Sequence, residues 1–147
     1  MGEDGDPMTS QQETESVGRT QQTMTEVDES KRTILIYSPD LNFCFSLSML
    51  FQDRYNVITT TNLGTLDSLA CQYATHLVVV DAVPTKKMID RLDALKGLNK
   101  SLSIIMLYVY SAKDVQLDMS VRNHVDSVFY KPFDLGPFSQ RIDELLA

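Results

Sequence analysis

The sequence has few of the residues that build metal sites and disulfide frameworks. Among its 147 residues are two cysteines and two histidines, and it has no tryptophan. Cys44 and Cys71 each lie among apolar neighbours, so we expect two buried thiols in a reducing compartment and no disulfide. His76 and His124 lie far apart in the sequence, with no cysteine or paired acids at ligand spacing. A zinc site is therefore not expected.

Basic residues are scarce as well. The chain has 13 lysines and arginines against 20 aspartates and glutamates, a formal net charge of -7 and a pI near 4.7. Because phosphate contacts need clustered Lys and Arg, we expect no nucleic-acid-binding surface and no binding to an anionic membrane. The apolar runs are no longer than a strand, and the polar amino terminus lacks the features of a signal peptide. These absences predict a cytoplasmic protein.

Residues 1–30 differ in composition from the rest of the chain. They are rich in Gln, Thr, Ser, Glu and Asp and show no apolar periodicity. Such a segment buries too little surface to offset the entropy lost on ordering, which predicts a disordered acidic tail or linker. A short helix over residues 21–27 is an alternative for its last part. Residues 31–147 then have a suitable length for one domain.

Apolar runs of strand length alternate with segments of helical periodicity after residue 31. The predicted strands are residues 33–37, 55–60, 77–81, 103–109 and 126–130. The predicted helices begin near a cap at Asn42, at Asn62, at Pro84-Thr85, at Ser111 and after Asp134, and the third ends at Gly97. Only its place between two strands favours the fourth helix. Five alternations predict an α/β fold with a doubly wound, five-stranded parallel sheet and helices on both faces.

Asp81 is the leading candidate for a functional residue. It closes a run of four apolar residues that is typical of a strand buried on both faces. Ligand crevices of open α/β sheets lie outside the carboxyl ends of such strands, although an Asp there can also serve only as a cap. The other residues that end or follow predicted strands, and that we expect at the same edge, are Ser38, Pro39, Asp40, Tyr108 and Lys131.

These features together resemble the receiver domain of two-component response regulators, over nearly all of the chain after Lys31. The residues that carry the resemblance are 33–40 with the following helix, the apolar strand that ends in Asp81, strand residues 104–109, and Phe129-Tyr-Lys-Pro-Phe133. The resemblance implies a flavodoxin-like (βα)5 sheet with strand order 2-1-3-4-5. It also implies that Asp81 is the phosphoacceptor and that Lys131 contacts the phosphoryl group. A receiver of this kind is not itself an enzyme.

The sequence departs from the family where the family binds magnesium. Receivers usually end their first strand with two acids, and Ser38 and Pro39 stand at those positions. Because Mg²⁺ prefers oxygen ligands in octahedral geometry, the loss of both carboxylates should weaken the site severely. Asp40 could replace them beside Asp81 only if its loop shifted by about one residue. We therefore predict no cofactor, or weakly bound Mg²⁺.

A second departure concerns the switch residues of the family. The family has a small hydroxyl residue at the position of Tyr108, and the larger ring is predicted to fill the crevice above Asp81. An aromatic residue is often found three positions before the lysine, where this chain has Val128. The usual coupling between phosphorylation and surface rearrangement thus lacks both customary side chains.

Three functional hypotheses follow. The first is a degenerate receiver that acts as a protein interaction module, with a histidine kinase, a downstream signalling protein or a second copy of the chain as partner. The second is a working phosphoacceptor, phosphorylated at Asp81, with a rearranged magnesium site. The third is a small flavodoxin-like enzyme or cofactor binder, which the lack of a glycine-rich phosphate loop and of a Ser/His/Asp set disfavours.

Overall fold

The computed structural model describes residues 22–24 and 27–147. Residues 1–21, 25 and 26, and with them most of the predicted acidic tail, lie outside the described part. Gln22–Met24 form a strand, so the helix predicted over residues 21–27 is wrong at these three positions. The predicted division of the chain at residue 30 stays a prediction.

The described residues form six strands and five α-helices. The strands are β1 (Gln22–Met24), β2 (Thr33–Tyr37), β3 (Asn56–Thr60), β4 (Leu77–Asp81), β5 (Ser103–Tyr108) and β6 (Ser127–Tyr130). The helices are α1 (Leu41–Phe51), α2 (Leu66–Gln72), α3 (Lys86–Leu98), α4 (Val115–His124) and α5 (Leu135–Leu145), with short 3₁₀ turns at Leu63–Thr65 and Ala112–Asp114. Within the described residues, no helix has both the length and the apolar character needed to cross a bilayer.

The strands form one sheet in the order β1-β3-β2-β4-β5-β6. Strands β2 to β6 pair in parallel, which confirms the predicted five-stranded sheet with its order 2-1-3-4-5. The sequence did not predict β1. This strand pairs antiparallel with β3 at the edge, where Gln22 lies opposite Thr60 and Met24 opposite Ile58.

Each face of the sheet is covered by its own apolar core. The helices α2, α3 and α4 pack on one face around Val78, Val80 and Ile104, and this set is called the first core. The helices α1 and α5 pack on the other face around Val79 and Leu107, and this set is called the second core. These strand side chains are fully buried, and each contributes about 1.5–3 kcal/mol by leaving water.

Helix ends account for small differences from the predicted bounds. Asp40, not Asn42, caps α1, since its carboxylate accepts the backbone N–H groups of Asn42 and Phe43 at 3.0 and 3.3 Å. Helix α3 continues one residue past Gly97 to Leu98. The fourth predicted helix is present as α4. Its helical periodicity was weak because a charged residue, Asp118, occupies one of its core-facing positions.

The two cysteines lie in different environments. Both are free thiols, as predicted, and Cys44 is buried between α1 and the sheet. The prediction that Cys71 is buried was wrong, because this residue lies on the exposed side of α2 while Leu66 and Leu69 face the core. A seven-residue helix with two buried positions leaves its remaining residues in contact with solvent.

Candidate functional site

Asp81 and Lys131 form an ion pair at the carboxyl edge of the sheet. Asp81 is the last residue of β4 and is 7% exposed, whereas Lys131 directly follows β6. The Lys131 Nζ donates a hydrogen bond to Asp81 Oδ1 at 2.8 Å. The structure therefore brings together the two residues on which the family resemblance mainly rests.

Ser38 forms a hydrogen bond with the other oxygen of the Asp81 carboxylate. Its hydroxyl donates to Asp81 Oδ2 at 2.7 Å, and the residue has no exposed surface. The same hydroxyl oxygen accepts the backbone N–H of Asp40 at 3.1 Å. The backbone N–H of Ser38 itself donates to the carbonyl of Thr60. Ser38 thus links the central strand, the loop before α1 and the end of β3.

The alternation of side chains along the strands explains why these residues meet. Successive side chains of a strand point to opposite faces. Asp81 lies two residues after Val79 and is paired in register with Leu107, and both of these belong to the second core. Ser38 likewise lies two residues after Ile36, and Lys131 lies two residues after Phe129. Ile36 belongs to the second core and Phe129 packs against it. All three polar side chains therefore lie above the α1 and α5 face.

An aromatic cluster holds the loop that carries Lys131. Phe133 follows the cis peptide bond between Lys131 and Pro132. Its ring centroid lies 4.9 Å from that of Phe138 and 6.2 Å from that of Phe129, and it forms a T-shaped pair with Phe43 in α1. Such ring pairs favour defined geometries. The cluster thus fixes the loop between β6 and α5, and with it the direction of the lysine.

Pro39 and Asp40 do not add a carboxylate to the site. Both are exposed, and the Asp40 carboxylate is used to cap α1. In the described part of the chain there is no group of three His, Cys, Asp or Glu side chains that could hold a metal ion. Asp81 is thus left with a hydroxyl and an ammonium as partners, and the second of these repels a cation. The residues present do not fit the magnesium site that the resemblance implies.

Tyr108 does not fill the crevice above Asp81, and that prediction was wrong. It is one residue beyond Leu107, so its side chain points to the opposite face and belongs to the first core. Its hydroxyl donates to Asp118 Oδ1 in α4 at 2.5 Å. The neighbour of Tyr108 in register is Tyr130, whose hydroxyl donates to the same carboxylate oxygen at 2.8 Å.

Arg122 completes this second polar cluster. Its Nε lies 3.3 Å from Asp118 Oδ2, its Nη2 donates to the Tyr130 hydroxyl at 2.7 Å, and its guanidinium carbon lies 5.2 Å from the centroid of the Tyr130 ring. Asp118, Tyr130, Arg122 and Tyr108 are called the tyrosine–aspartate cluster. Sequence reasoning missed it, and the spacing of Asp118 and Arg122 at i and i+4 on a helix was the available signal.

The ionisation of the cluster follows from its contacts. Burial alone would raise the pKa of Asp118, but the hydrogen bonds from Tyr108 and Tyr130 and the charge of Arg122 bring that pKa below its ordinary value. Burial, together with the hydrogen bond to Asp118, raises the pKa of Tyr108. At neutral pH the cluster therefore contains the Asp118 carboxylate, the neutral Tyr108 phenol and the Arg122 guanidinium.

Solved structures with a similar fold are numerous. No protein-family model matches the sequence, and neither does any curated protein. A CheY-like response regulator receiver domain protein from Methanospirillum hungatei JF-1 superimposes with a TM-score of 0.69 at 19% identity, over 79% of this chain and 94% of that one. The chain has the receiver fold.

Two further structures show the range of proteins with this fold. A two-component response regulator from Clostridium difficile gives a TM-score of 0.67 at 14% identity, over 79% of this chain and 96% of that one. A protein from Burkholderia pseudomallei K96243 that is named for pilus assembly gives 0.65 at 18% identity, over 83% and 94% of the two chains. In the receiver fold of the present chain, Asp81 ends the central strand and Lys131 follows the last one.

Proposed function

We propose that this protein is a receiver-type signalling domain that acts by binding protein partners and that does not accept a phosphoryl group at Asp81. The observation that carries the proposal is the environment of the Asp81 carboxylate. One of its oxygens accepts a hydrogen bond from Lys131 and the other from Ser38. Neither neighbour supplies a carboxylate, the protein group through which Mg²⁺ is usually bound.

Phosphoryl transfer to a carboxylate needs a positioned nucleophile and compensation of the charge on the transferred oxygens. Lys131 supplies one positive charge, but the described residues provide no carboxylate pair that would hold a divalent ion beside it. Two negative groups, Asp81 and an incoming phosphoryl group, would then face a single ammonium. This charge balance supports a site that is structural and not reactive.

The position of Tyr108 supports the loss of the usual switch. A residue that responds to phosphorylation has to reach the phosphoryl group, whereas the Tyr108 hydroxyl is held by Asp118 on the other face of the sheet. Leaving that position would break a buried hydrogen bond to a charged group, at a cost of about 1.5–3 kcal/mol.

An interaction role is supported by the surface of α1. Leu41, Phe45 and Met49 recur at every fourth position, and they are 48%, 61% and 56% exposed. The helix contains no charged residue. Contiguous exposed apolar side chains often mark a protein–protein contact. The proposal includes a cytoplasmic location and a signalling protein as partner.

The experiment is incubation of the purified protein with Mg²⁺ and acetyl phosphate, followed by mass spectrometry of the intact chain. We expect no phosphorylated species, and no change in the amide NMR spectrum when beryllofluoride replaces acetyl phosphate. A stable phosphoryl adduct that the Asp81→Asn variant does not form would overturn the proposal.

The ion pair between Lys131 and Asp81 is the observation that favours the second hypothesis, a working phosphoacceptor. That hypothesis needs a further carboxylate to bind Mg²⁺. Because Asp40 caps α1, this carboxylate would have to come from a partner protein. The same phosphorylation experiment decides between the two when it is repeated with a histidine kinase as the phosphodonor.

A further inference from the structure

The exposed side of α1 carries two adjacent rows of side chains, and within each row the residues are four positions apart. Such rows form ridges on the surface of a helix, with a groove between neighbouring ridges. Cys44, Leu47 and Phe51 on the other side of the helix are buried. The six exposed residues, together called the α1 face, are Leu41, Phe45 and Met49 in the first row and Asn42, Ser46 and Leu50 in the second.

The α1 face is apolar and uncharged on an acidic protein. Its four apolar residues, Leu41, Phe45, Met49 and Leu50, are between 46% and 61% exposed. In the part of the chain that the structure describes, α1 is the one helix of five without an acidic or basic residue. The formal net charge of the chain is nevertheless -7. Because exposed apolar side chains that lie together mark a contact with another molecule, this face needs an occupant.

The lack of charge on the α1 face indicates which molecule covers it. In a two-fold symmetric dimer a surface meets its own copy, so a charge close to the axis meets a like charge. For a protein of net charge -7, such a contact is favourable where the surface carries no charge. A different protein could instead recognise this chain through positive charges that complement the acidic side chains of the other helices. The α1 face therefore suits a second copy of the chain.

The spacing of the two rows fits the packing of α1 against α1 of a second copy. With a two-fold axis at Phe45, the two helices run in opposite directions, and Leu41 of each copy lies near Met49 of the other. The apolar ridge of each helix then enters the groove of the other, at the crossing angle of about -50° that is common for rows of this spacing. This inclination separates the ends of the two helices, and with them the acidic residues Asp40 and Asp53.

We propose that this protein forms a symmetric dimer through the α1 face, with Phe45 at the two-fold axis. The inference rests on the interaction role that the proposed function gives to α1, and it names the molecule that α1 contacts. Two helical faces of this size bury on the order of 1,000 Å² in total, which is at the low end for specific interfaces. The dimer is therefore weak, with a dissociation constant of roughly 10–100 μM.

The test is sedimentation equilibrium of the full chain at concentrations from about 1 μM to 1 mM. We expect the mean mass to rise from that of a monomer to that of a dimer within this range. A higher salt concentration should strengthen the dimer, because it screens the repulsion between two acidic copies and leaves the apolar contact intact. A chain that stays monomeric at every concentration would leave the α1 face to a different protein and would overturn the proposal.

Phe45→Glu places a like charge from each copy at the axis and should raise the dissociation constant by roughly tenfold or more. The matched control is Met119→Glu in α4, because Met119 is 59% exposed and Phe45 is 61% exposed. This variant adds the same charge on another helix and should dimerise like the wild type. Since both residues are exposed, the melting temperatures of the two variants at low concentration should stay within a few degrees of that of the wild type.

A mixture of Phe45→Glu and Phe45→Lys tests the symmetry of the contact. Each variant alone repels its own copy at the axis, whereas opposite charges meet in a mixed dimer. We therefore expect the mixture to form a heterodimer at concentrations at which neither variant dimerises. Unchanged dimerisation of Phe45→Glu, loss of the dimer in Met119→Glu, or failure of the mixture to dimerise would each contradict the proposed contact.

The dimer and the loss of phosphorylation can fail separately. Asp81→Asn should dimerise like the wild type, because Asp81 is buried at the edge of the sheet and not part of the α1 face. A monomeric chain that forms no phosphoryl adduct would refute the dimer alone. A dimeric chain that does form the adduct would refute only the proposed lack of reactivity of Asp81.

Discussion

The Ser38 hydroxyl and the Asp81 carboxylate form a buried hydrogen bond of 2.7 Å at a position where the receiver resemblance implies two acids. A serine there replaces repulsion between neighbouring carboxylates by an attractive contact. Because the serine also accepts the Asp40 N–H, it joins the central strand to the first turn of α1. The bond thus stabilises the edge of the sheet without a metal ion.

Ser38→Ala should destabilise the protein. The change removes the donor to one oxygen of a buried carboxylate and leaves the Asp40 N–H without its side-chain acceptor, so we expect a loss of about 1–3 kcal/mol in the free energy of unfolding. Urea denaturation monitored by circular dichroism measures this loss. Ser46→Ala, at an exposed serine of α1, is the matched control and should stay within about 0.5 kcal/mol of the wild type. Equal stability of the two variants would contradict the structural role of Ser38.

Ser38→Asp should create a response to magnesium. The introduced carboxylate would lie beside Asp81, where like charges destabilise the free protein and a divalent cation relieves the repulsion. We expect the variant to have a lower melting temperature without metal and a melting temperature that rises by several degrees in millimolar Mg²⁺. The wild type and Ser46→Asp, which adds the same charge on the exposed side of α1, should not respond. An unresponsive Ser38→Asp protein would show that the missing acids are not what limits metal binding.

Asp40 should act as a helix cap and not as a metal ligand. Replacement by Ala removes the acceptor for the N–H groups of Asn42 and Phe43 and should cost about 1 kcal/mol, whereas Asn retains an acceptor and should cost much less. Urea denaturation of Asp40→Ala and Asp40→Asn gives both values. Should the wild type respond to Mg²⁺ and both variants fail to do so, Asp40 would instead be a ligand.

Tyr108→Phe should lower the stability in a pH-dependent way. The hydrogen bonds to Asp118 hold its pKa below the ordinary value of 3.8, and loss of the Tyr108 hydroxyl lets that pKa rise. A depressed carboxyl pKa contributes stability above the unfolded-state value, and this contribution is lost as the pH falls through the folded-state pKa. The variant should therefore be less stable than the wild type by about 1.5 kcal/mol at pH 7, and the difference should shrink below about pH 4.

Urea denaturation at pH 7, 4 and 3 tests this prediction. Tyr110→Phe is the control, because Tyr110 is 44% exposed and its ring also packs on Tyr130. That variant should show the same pH dependence as the wild type. A Tyr108→Phe deficit that stays constant down to pH 3 would mean that the hydroxyl does not act through the ionised Asp118.

The two thiols should react at very different rates. Cys71 is exposed, whereas Cys44 is 1% exposed and burial raises the pKa of its thiol. Because the thiolate is the reactive form, a disulfide reagent such as Ellman's should modify one thiol quickly in the native protein and the second only after denaturation. Cys71→Ser should abolish the fast reaction, and Cys44→Ser should preserve it. Two fast thiols in the native wild type would contradict the burial of Cys44.

The sequence was sufficient for the five parallel strands and for the pairing of Asp81 with Lys131. Continuous apolar runs such as Leu77–Val80 have few alternatives to a buried strand, and the carboxyl ends of parallel strands meet at one edge. Strand β1 could not be predicted in this way. Gln22–Met24 contains no apolar run, and strand pairing uses backbone groups, which leave little trace in the side-chain pattern.

The direction of Tyr108 follows from the register of β5 and not from the likeness of its position to the family's switch residue. The register pairs Asp81 with Leu107, and the next residue along β5 has to face the other side of the sheet. A small side chain can still reach around the strand end, but a tyrosine packs where its ring is buried. The sequence gives no sign that its partner Asp118 is buried, because a single acid on a helix is usually exposed.

The antiparallel direction of β1 places its first residue at the edge of the sheet that carries Asp81. Gln22 lies opposite Thr60, whose carbonyl accepts the N–H of Ser38, so β1 begins at the same edge of the sheet as Asp81. A label attached at Gln22 would therefore lie next to the edge that phosphorylation and partner-binding assays probe. Carriers attached after α5 would leave that edge accessible.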